Sequence, residues 1–267
     1  MTYFVKKIQT KDQIQTCNPF EISHYMWNST QTPRAYGRMG YLPGEGLYVS
    51  MTCEEENPLA TCQNYMDPVC NDSTMEAFFA FPQPGEELTN NVMYLNFEAN
   101  SLGTLYAAYG KGRKGRSPMP QEYLPACACT AQVSPSSWTL TFTVPEAYLL
   151  KECGVAVLNE DTEIYCNFYK ISETPGIEHY GSFSLIDNPT PNFPLPDRSV
   201  RLSDNRCPGG PYAPPGHKKC AAAAVCPRGR QILPGSSRIR RGLCPEVPFY
   251  RSKCNNSASD ILYICTK

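Results

Sequence analysis

The stretch Gly46-Leu47-Tyr48-Val49-Ser50-Met51-Thr52-Cys53 decides the fold class. In an extended chain Leu47, Val49, Met51 and Cys53 share one face and Tyr48, Ser50 and Thr52 the other. That is the period-two pattern of a strand with one side in a core and the other toward water. Working outward, comparable alternating or aromatic-rich runs predict further strands over 3–8, 74–81, 92–100, 104–110, 126–133, 138–144 and 164–171. Asn100-Ser101-Leu102-Gly103 predicts a hairpin connection and Pro84-Gly85 another turn. A single short helix is predicted at Glu146–Lys151, where Pro145 precedes a run of helix formers. About eight strands and no long amphipathic helix predict an all-β fold, an antiparallel sandwich or barrel.

The pattern stops near residue 197. The formal net charge of -1 over 267 residues is a cancellation: residues 1–197 carry 11 basic and 22 acidic side chains, residues 198–267 carry 13 and 3. Of the 14 cysteines, eight are spread over the first region and six crowd into the second. Pro208-Gly209-Gly210-Pro211, Ala221 to Ala224 and the cluster Arg238, Arg240 and Arg241 keep neither a strand nor a helix period. The expectation is a sandwich domain over 1–197 and a largely unstructured basic, Cys- and Pro-rich tail over 198–267.

No apolar run approaches the roughly 20 residues of a membrane span. The opening Met1-Thr2-Tyr3-Phe4-Val5-Lys6-Lys7-Ile8 lacks an apolar stretch followed by a small-residue cleavage site. A cytoplasmic chain with reduced thiols packed as small hydrophobes is therefore expected, with neither nucleic acid nor membrane as a partner.

Chemistry-bearing motifs are few. Gly110-x-Gly112-x-x-Gly115 follows a predicted strand, but Pro118 and Pro120 replace the helix that a dinucleotide site needs, so a basic loop with Lys111, Arg113, Lys114 and Arg116 is the better reading. His217, Cys220 and Cys226 lack the close cysteine pairs of a zinc site. Cys127-Ala128-Cys129, read as alternate residues of a strand, would be buried filler. His24 and His179 each stand beside a tyrosine, where packing or hydrogen bonding is the default. Glu76 and Glu98 could serve a glycosidase only if their carboxyls flank a cleft at about 5–9.5 Å.

More informative is Tyr94-Leu95-Asn96-Phe97-Glu98-Ala99-Asn100, which turns Leu95, Phe97 and Ala99 to one side and amide and carboxylate groups to the other. Sugar hydroxyls both donate and accept, so they call for such groups, and sugar C–H faces call for flat rings.

These residues, taken in order with others, resemble the family 9-like carbohydrate-binding modules, particularly the stand-alone bacterial group. The matching blocks are His24-Tyr25-Met26-Trp27, Asn57-Pro58, Asn64-Tyr65-Met66-Asp67-Pro68-Val69, Asp72-Ser73 with Glu76, the Tyr94 to Asn100 strand with Gly103-Thr104, Trp138, Val144-Pro145, Asn167-Phe168-Tyr169-Lys170, His179-Tyr180-Gly181-Ser182 and Pro191-Asn192-Phe193. The resemblance covers about residues 1–197. It implies an antiparallel β-sandwich of jelly-roll-like type that binds a mono- or oligosaccharide in carbohydrate catabolism, without catalysis, by aromatic stacking and polar contacts. On this reading Glu76, Asn96 and Glu98 are polar contacts. Phe193 is one clamp ring; the other clamp position falls near Val69 or Cys70, so Tyr65 would substitute. Phe183 stands where relatives carry Trp. No cofactor is expected beyond the family's structural calcium, to which no residue is assigned.

Relatives close with Pro-x-x-Phe-Gly and a last strand, whereas this chain has Leu195-Pro196-Asp197 and then Arg198-Ser199-Val200-Arg201. With the codons AGA TCC GTT CGG for those four residues, reading one base later gives Asp-Pro-Phe-Gly. The expectation is that residues 198–267 come from a frameshifted reading; the alternative is a basic tail for an acidic partner.

Overall fold

The computed structural model describes residues 2–89, 91–111, 115–155, 158, 159, 162, 164–190 and the backbone of 261–265. The chain divides into two units, Met1–Asn205 with Ser259–Lys267, and Arg206–Ala258; the second, and with it His217, Cys220 and Cys226, lies outside the described residues.

The first unit is a two-sheet sandwich. Strands β1 (Thr2–Lys7), β2 (Pro19–Ile22), β4 (Arg34–Leu42), β5 (Gly46–Glu54), β10 (Thr130–Ser134), β11 (Ser137–Pro145) and β14 (Ile261–Cys265) make sheet one, in the order β10-β11-β5-β4-β1-β14 with β2 also against β4. Strands β3 (His24–Tyr25), β6 (Thr74–Phe81), β7 (Met93–Asn100), β8 (Leu105–Lys111), β9 (Ser117–Pro118), β12 (Tyr165–Ser172) and β13 (His179–Ser182) make sheet two, in the order β3-β13-β12-β6-β7-β8-β9. Neighbours run antiparallel except β1 and β4, which pair in parallel at Lys6–Gly40 and Lys7–Tyr41.

Sheet one stacks its inward rows as the alternation of β5 predicts. Trp138, Cys53 and Ala35 share one row; Phe142, Val49 and Met39 share another. All six are buried. Facing them from sheet two are Met75, Ala77, Phe79, Leu95, Phe97 and Phe168, and Phe97 stacks on Phe142 across the interface at 5.6 Å and 5°. Burying this many large aromatic and aliphatic side chains is the main stabilising term.

β4 has no counterpart among the predicted strands, although it lies at the centre of sheet one. Its inward row is Ala35, Gly37, Met39 and Tyr41, and the glycine hides the pattern. Close packing requires that glycine: a Cβ on Gly37 would sit 2.5 Å from Phe20 Cζ and 2.7 Å from the Ser50 carbonyl oxygen. Gly37→Ala is therefore expected to cost about 2 kcal/mol through overpacking. A urea midpoint equal to wild type would show that β2 does not close over β4 in this way.

The strand expected over 126–133 divides in two. Leu124–Cys127 forms a single helical turn, α1, with Pro125 preset for helical φ, and Ala128 closes it in the left-handed region at φ 45°. Only then does β10 begin. Cys127 and Cys129 thus do not alternate along one strand, yet both pack against the core. The predicted helix forms as α2 (Glu146–Lys151), and Asn100 O accepts from Gly103 N at 3.0 Å in the predicted hairpin. Among the described residues no helix is long and apolar enough to cross a membrane.

Candidate functional site

The site follows from the pleat of sheet two. Leu95, Phe97 and Ala99 of β7 enter the core, so Tyr94, Asn96, Glu98 and Asn100 lie on the outer face. Register then sets Glu98 directly opposite Glu76 on β6. It also sets Tyr169 of β12 opposite Glu76 and Tyr106 of β8 opposite Glu98. One row across four strands reads Tyr169, Glu76, Glu98, Tyr106, and the next reads Asn167, Phe78, Asn96, Ala108.

Side-chain bonds link part of this face. Asn96 Nδ2 donates to Glu98 Oε1 at 2.6 Å, and Arg116 Nη1 donates to Asn96 Oδ1. The Arg116 guanidinium lies over the Tyr94 ring, 5.2 Å from its centroid. Gly110, paired with Tyr94, leaves room for this: a Cβ there would sit 3.2 Å from Arg116 Cα. Glu76 is only 2% exposed, and its Oε2 is buried with no hydrogen-bond partner.

Electrostatics follow from that burial. Loss of hydration, then the charges of Glu98 and Glu173, push the Glu76 carboxyl well above its ordinary value, against the pull of Arg116 and Lys170. Burial pushes Glu98 up to about 7, while the Asn96 bond and Arg116 oppose it. Cys70 stands near the same acids: burial first, then Glu173, Glu98 and Glu76, push its thiol up to about 12.

A carboxyl with a raised folded pKa binds its proton more tightly when folded than unfolded, so its ionisation opposes folding. For Glu98 stability should fall as pH rises from the ordinary 4.5 to about 7, and stay level above. Asp72 and Glu55, both held below their ordinary values, act with the opposite sign and at lower pH. Urea midpoints measured across this window should slope downward in wild type and less so in Glu98→Gln; an equal slope in both would show that Glu98 is not the group titrating.

Two polar clusters position the face. Asp72, fully buried just before β6, accepts from Thr61 N (2.9 Å), Thr61 Oγ1 (2.7 Å), Cys62 N (2.9 Å) and Asn100 Nδ2 (2.8 Å). It ties the 61–62 segment to the end of β7. On the inner side of β12, fully buried Lys170 donates to Ser73 Oγ (2.9 Å) and His179 Nε2 (2.7 Å), with Glu55 Oε2 at 3.5 Å. Trp138 Nε1 also donates to Glu55 Oε2, at 3.0 Å. His179 Nδ1 donates to Ile177 O, so its Nε2 accepts; burial and then Lys170 push the ring down to about 4, which keeps it neutral. His24, by contrast, is exposed.

Glu76, Asn96 and Glu98, singled out from the sequence, are brought together. Tyr65 packs against the central core with its hydroxyl bonded to the Met119 and Ala107 carbonyls (2.7 and 3.2 Å). Phe193 lies outside the described residues, as do Gly112, Arg113 and Lys114 of the basic loop. Arg116 was read only as part of that loop; its signal lay in Gly110, whose missing side chain gives it a path to Tyr94. For the calcium implied by the resemblance, the described residues assign no ligand set of acidic side chains. No three of their His, Cys, Asp and Glu side chains gather as a metal site, and both Asp72 oxygens are already taken by N–H and O–H donors.

The profile of carbohydrate-binding family 9 matches residues 6–202. No curated protein matches the chain. A candidate carbohydrate-binding protein from Bacteroides uniformis shares the fold at 20% identity, with a TM-score of 0.58 over 72% of this chain and 93% of the other. Two structures of a family 9 carbohydrate-binding module from Caldicellulosiruptor kristjanssonii were also found, in complex with glucose and with cellotriose. They are 11% and 10% identical over 67% of this chain and 80% and 78% of theirs, with TM-scores of 0.41 and 0.42. With the profile spanning nearly the whole sandwich, from β1 past β13, the chain belongs to carbohydrate-binding family 9.

Proposed function

We propose that the domain holds a mono- or oligosaccharide end without catalysis, in the context of carbohydrate breakdown, and that Glu76, Asn96, Glu98 and Arg116 make the polar contacts. The observation that carries this reading is the carboxyl, amide and guanidinium set on the outer face of sheet two, flanked by Tyr94, Tyr106 and Tyr169. Carboxylates and the amide oxygen accept from sugar hydroxyls, and the guanidinium and amide N–H groups donate to them. Phe193 is proposed as a stacking ring. Hydrolysis by the acid pair needs two carboxyls across an open cleft; Glu76 is 2% exposed and faces Glu98 across one ladder step, which speaks against hydrolysis by this pair.

Calorimetric titration with glucosides, xylosides and cellobiose tests the reading. At least one is expected to give saturable heat, and Glu76→Gln should weaken it about 10-fold, about 1.4 kcal/mol. A folded protein that gives no heat with any sugar at millimolar concentration is instead an interaction protein that keeps the sandwich and has no sugar site.

Eight cysteines without disulfides among the described residues support a reducing, cytoplasmic setting. Residues 198–267 are proposed to be a frameshifted reading, against one finding: Ile261–Cys265 of that stretch returns as β14, antiparallel to β1 at the edge of sheet one, so the tail is not wholly outside the sandwich. The nucleotide sequence decides this: the shifted frame must encode a family-like last strand.

A further inference from the structure

The row Tyr169, Glu76, Glu98, Tyr106 places two carboxyl groups side by side between two phenol rings. Among the hydrogen bonds of the described residues, the pair's four oxygens receive one side-chain bond, from Asn96 to Glu98 Oε1. Glu76, nine-tenths buried and more, keeps Oε2 without any partner. A third carboxylate, Glu173, acts on both acids.

The nearby cations do not meet this need. Arg116 is held by the Tyr94 ring and the Asn96 oxygen. Lys170 projects from the other side of its strand and is matched by Glu55, His179 and Ser73. A neutral hydroxyl placed here would leave either two like charges together or a proton trapped between them. A primary ammonium brings three donors and a positive charge to a pair that has one side-chain donor and, among the described residues, no ion pair of its own, and a phenol face within about 6 Å attracts it further.

We propose that the saccharide taken by this site carries an ammonium group, as an amino sugar does, with that group set against Glu76 and Glu98. The proposal rests on the binding reading above and narrows its ligand class. Burial of the pair in a raised-pKa state adds a consequence: the cation should drive ionisation and release protons on binding.

The full chain is titrated near neutral pH with glucosamine, glucose and N-acetylglucosamine, in two buffers of different ionisation enthalpy. Glucosamine should bind about 10-fold more tightly than either neutral sugar, about 1.4 kcal/mol, and should release protons while glucose does not. In Glu98→Gln, with its folding checked by near-UV circular dichroism, the glucosamine-to-glucose ratio should fall toward one. Equal wild-type affinities for glucosamine and glucose, or no proton release with glucosamine, overturn the ammonium proposal and leave saccharide binding standing. Silence from these three sugars and from the xylosides and cellobiose of the first titration overturns both.

Discussion

Lys170→Met should cost about 3–5 kcal/mol of folding stability, the range for breaking a buried ion pair by removing one partner. Lys170 has no exposed side chain, and its ammonium is the common donor for Glu55, Ser73 and His179. Methionine keeps most of the volume but leaves Glu55, 14% exposed, facing an apolar end. Burial would then raise its pKa, since Lys170 is the largest influence holding it down. Trp138 would keep its bond to a carboxyl that no longer has a cation. Chemical denaturation of wild type, Lys170→Met and Lys170→Met/Glu55→Gln checks this. The double variant should recover part of the loss, and a single-variant loss below about 1 kcal/mol would mean that the pair contributes no more than an exposed one.

Asp72→Ala should cost about 3 kcal/mol, because a buried carboxylate that accepts four bonds leaves several donors unsatisfied when removed. Asn100 Nδ2 would retain only the Cys62 carbonyl, at 2.9 Å, and Thr61 N and Cys62 N would lose their acceptor. The segment before β6 would detach locally ahead of the whole domain, so amide exchange should rise at 61–62 more than in β5. Asp72 is held below its ordinary 3.8 by these bonds, against its own burial. Its stabilisation is therefore present above that value and is lost as pH falls through the depressed one. Uniform exchange across Thr61, Cys62 and β5 in the variant would refute the local role.

What was legible in the sequence is what alternation or punctuation encodes. β5 and β6 fall where Leu47 to Cys53 and Thr74 to Phe81 place them, and α2 begins at the residue after Pro145. β4 was invisible because Gly37 and Gly40 interrupt its apolar pattern at the points where Phe20 and Ile8 press closest. The two-residue β3 and β9 are too short to show any period. The 126–133 run was misjudged because Pro125 and the left-handed Ala128 act through backbone angles that apolar periodicity does not report.

The candidate site divides along the same line. Glu98 could be placed on a polar strand face and Glu76 within the strand over 74–81, but their meeting depends on the β6–β7 register. Arg116 reaches Asn96 by coming alongside β8 past Gly110. Lys170 is named in the sequence only as the end of the Asn167 to Lys170 block; the fold sets it against Glu55, far away in sequence.

The strand order also governs how the domain forms. At the centre of each sheet an early strand pairs with a late one, β5 with β11 and β6 with β12, each closing a loop of about 90 residues. A growing chain therefore cannot give β5 its second partner until β11 has been made, nor β6 its second partner until β12 has. Until then β5 and β6 each lack a lateral partner, and the nascent sandwich carries open, aromatic-rich edges. Refolding should be slow for a domain of this size, and a chaperone that shields those edges should raise the yield more than any ligand added at the end.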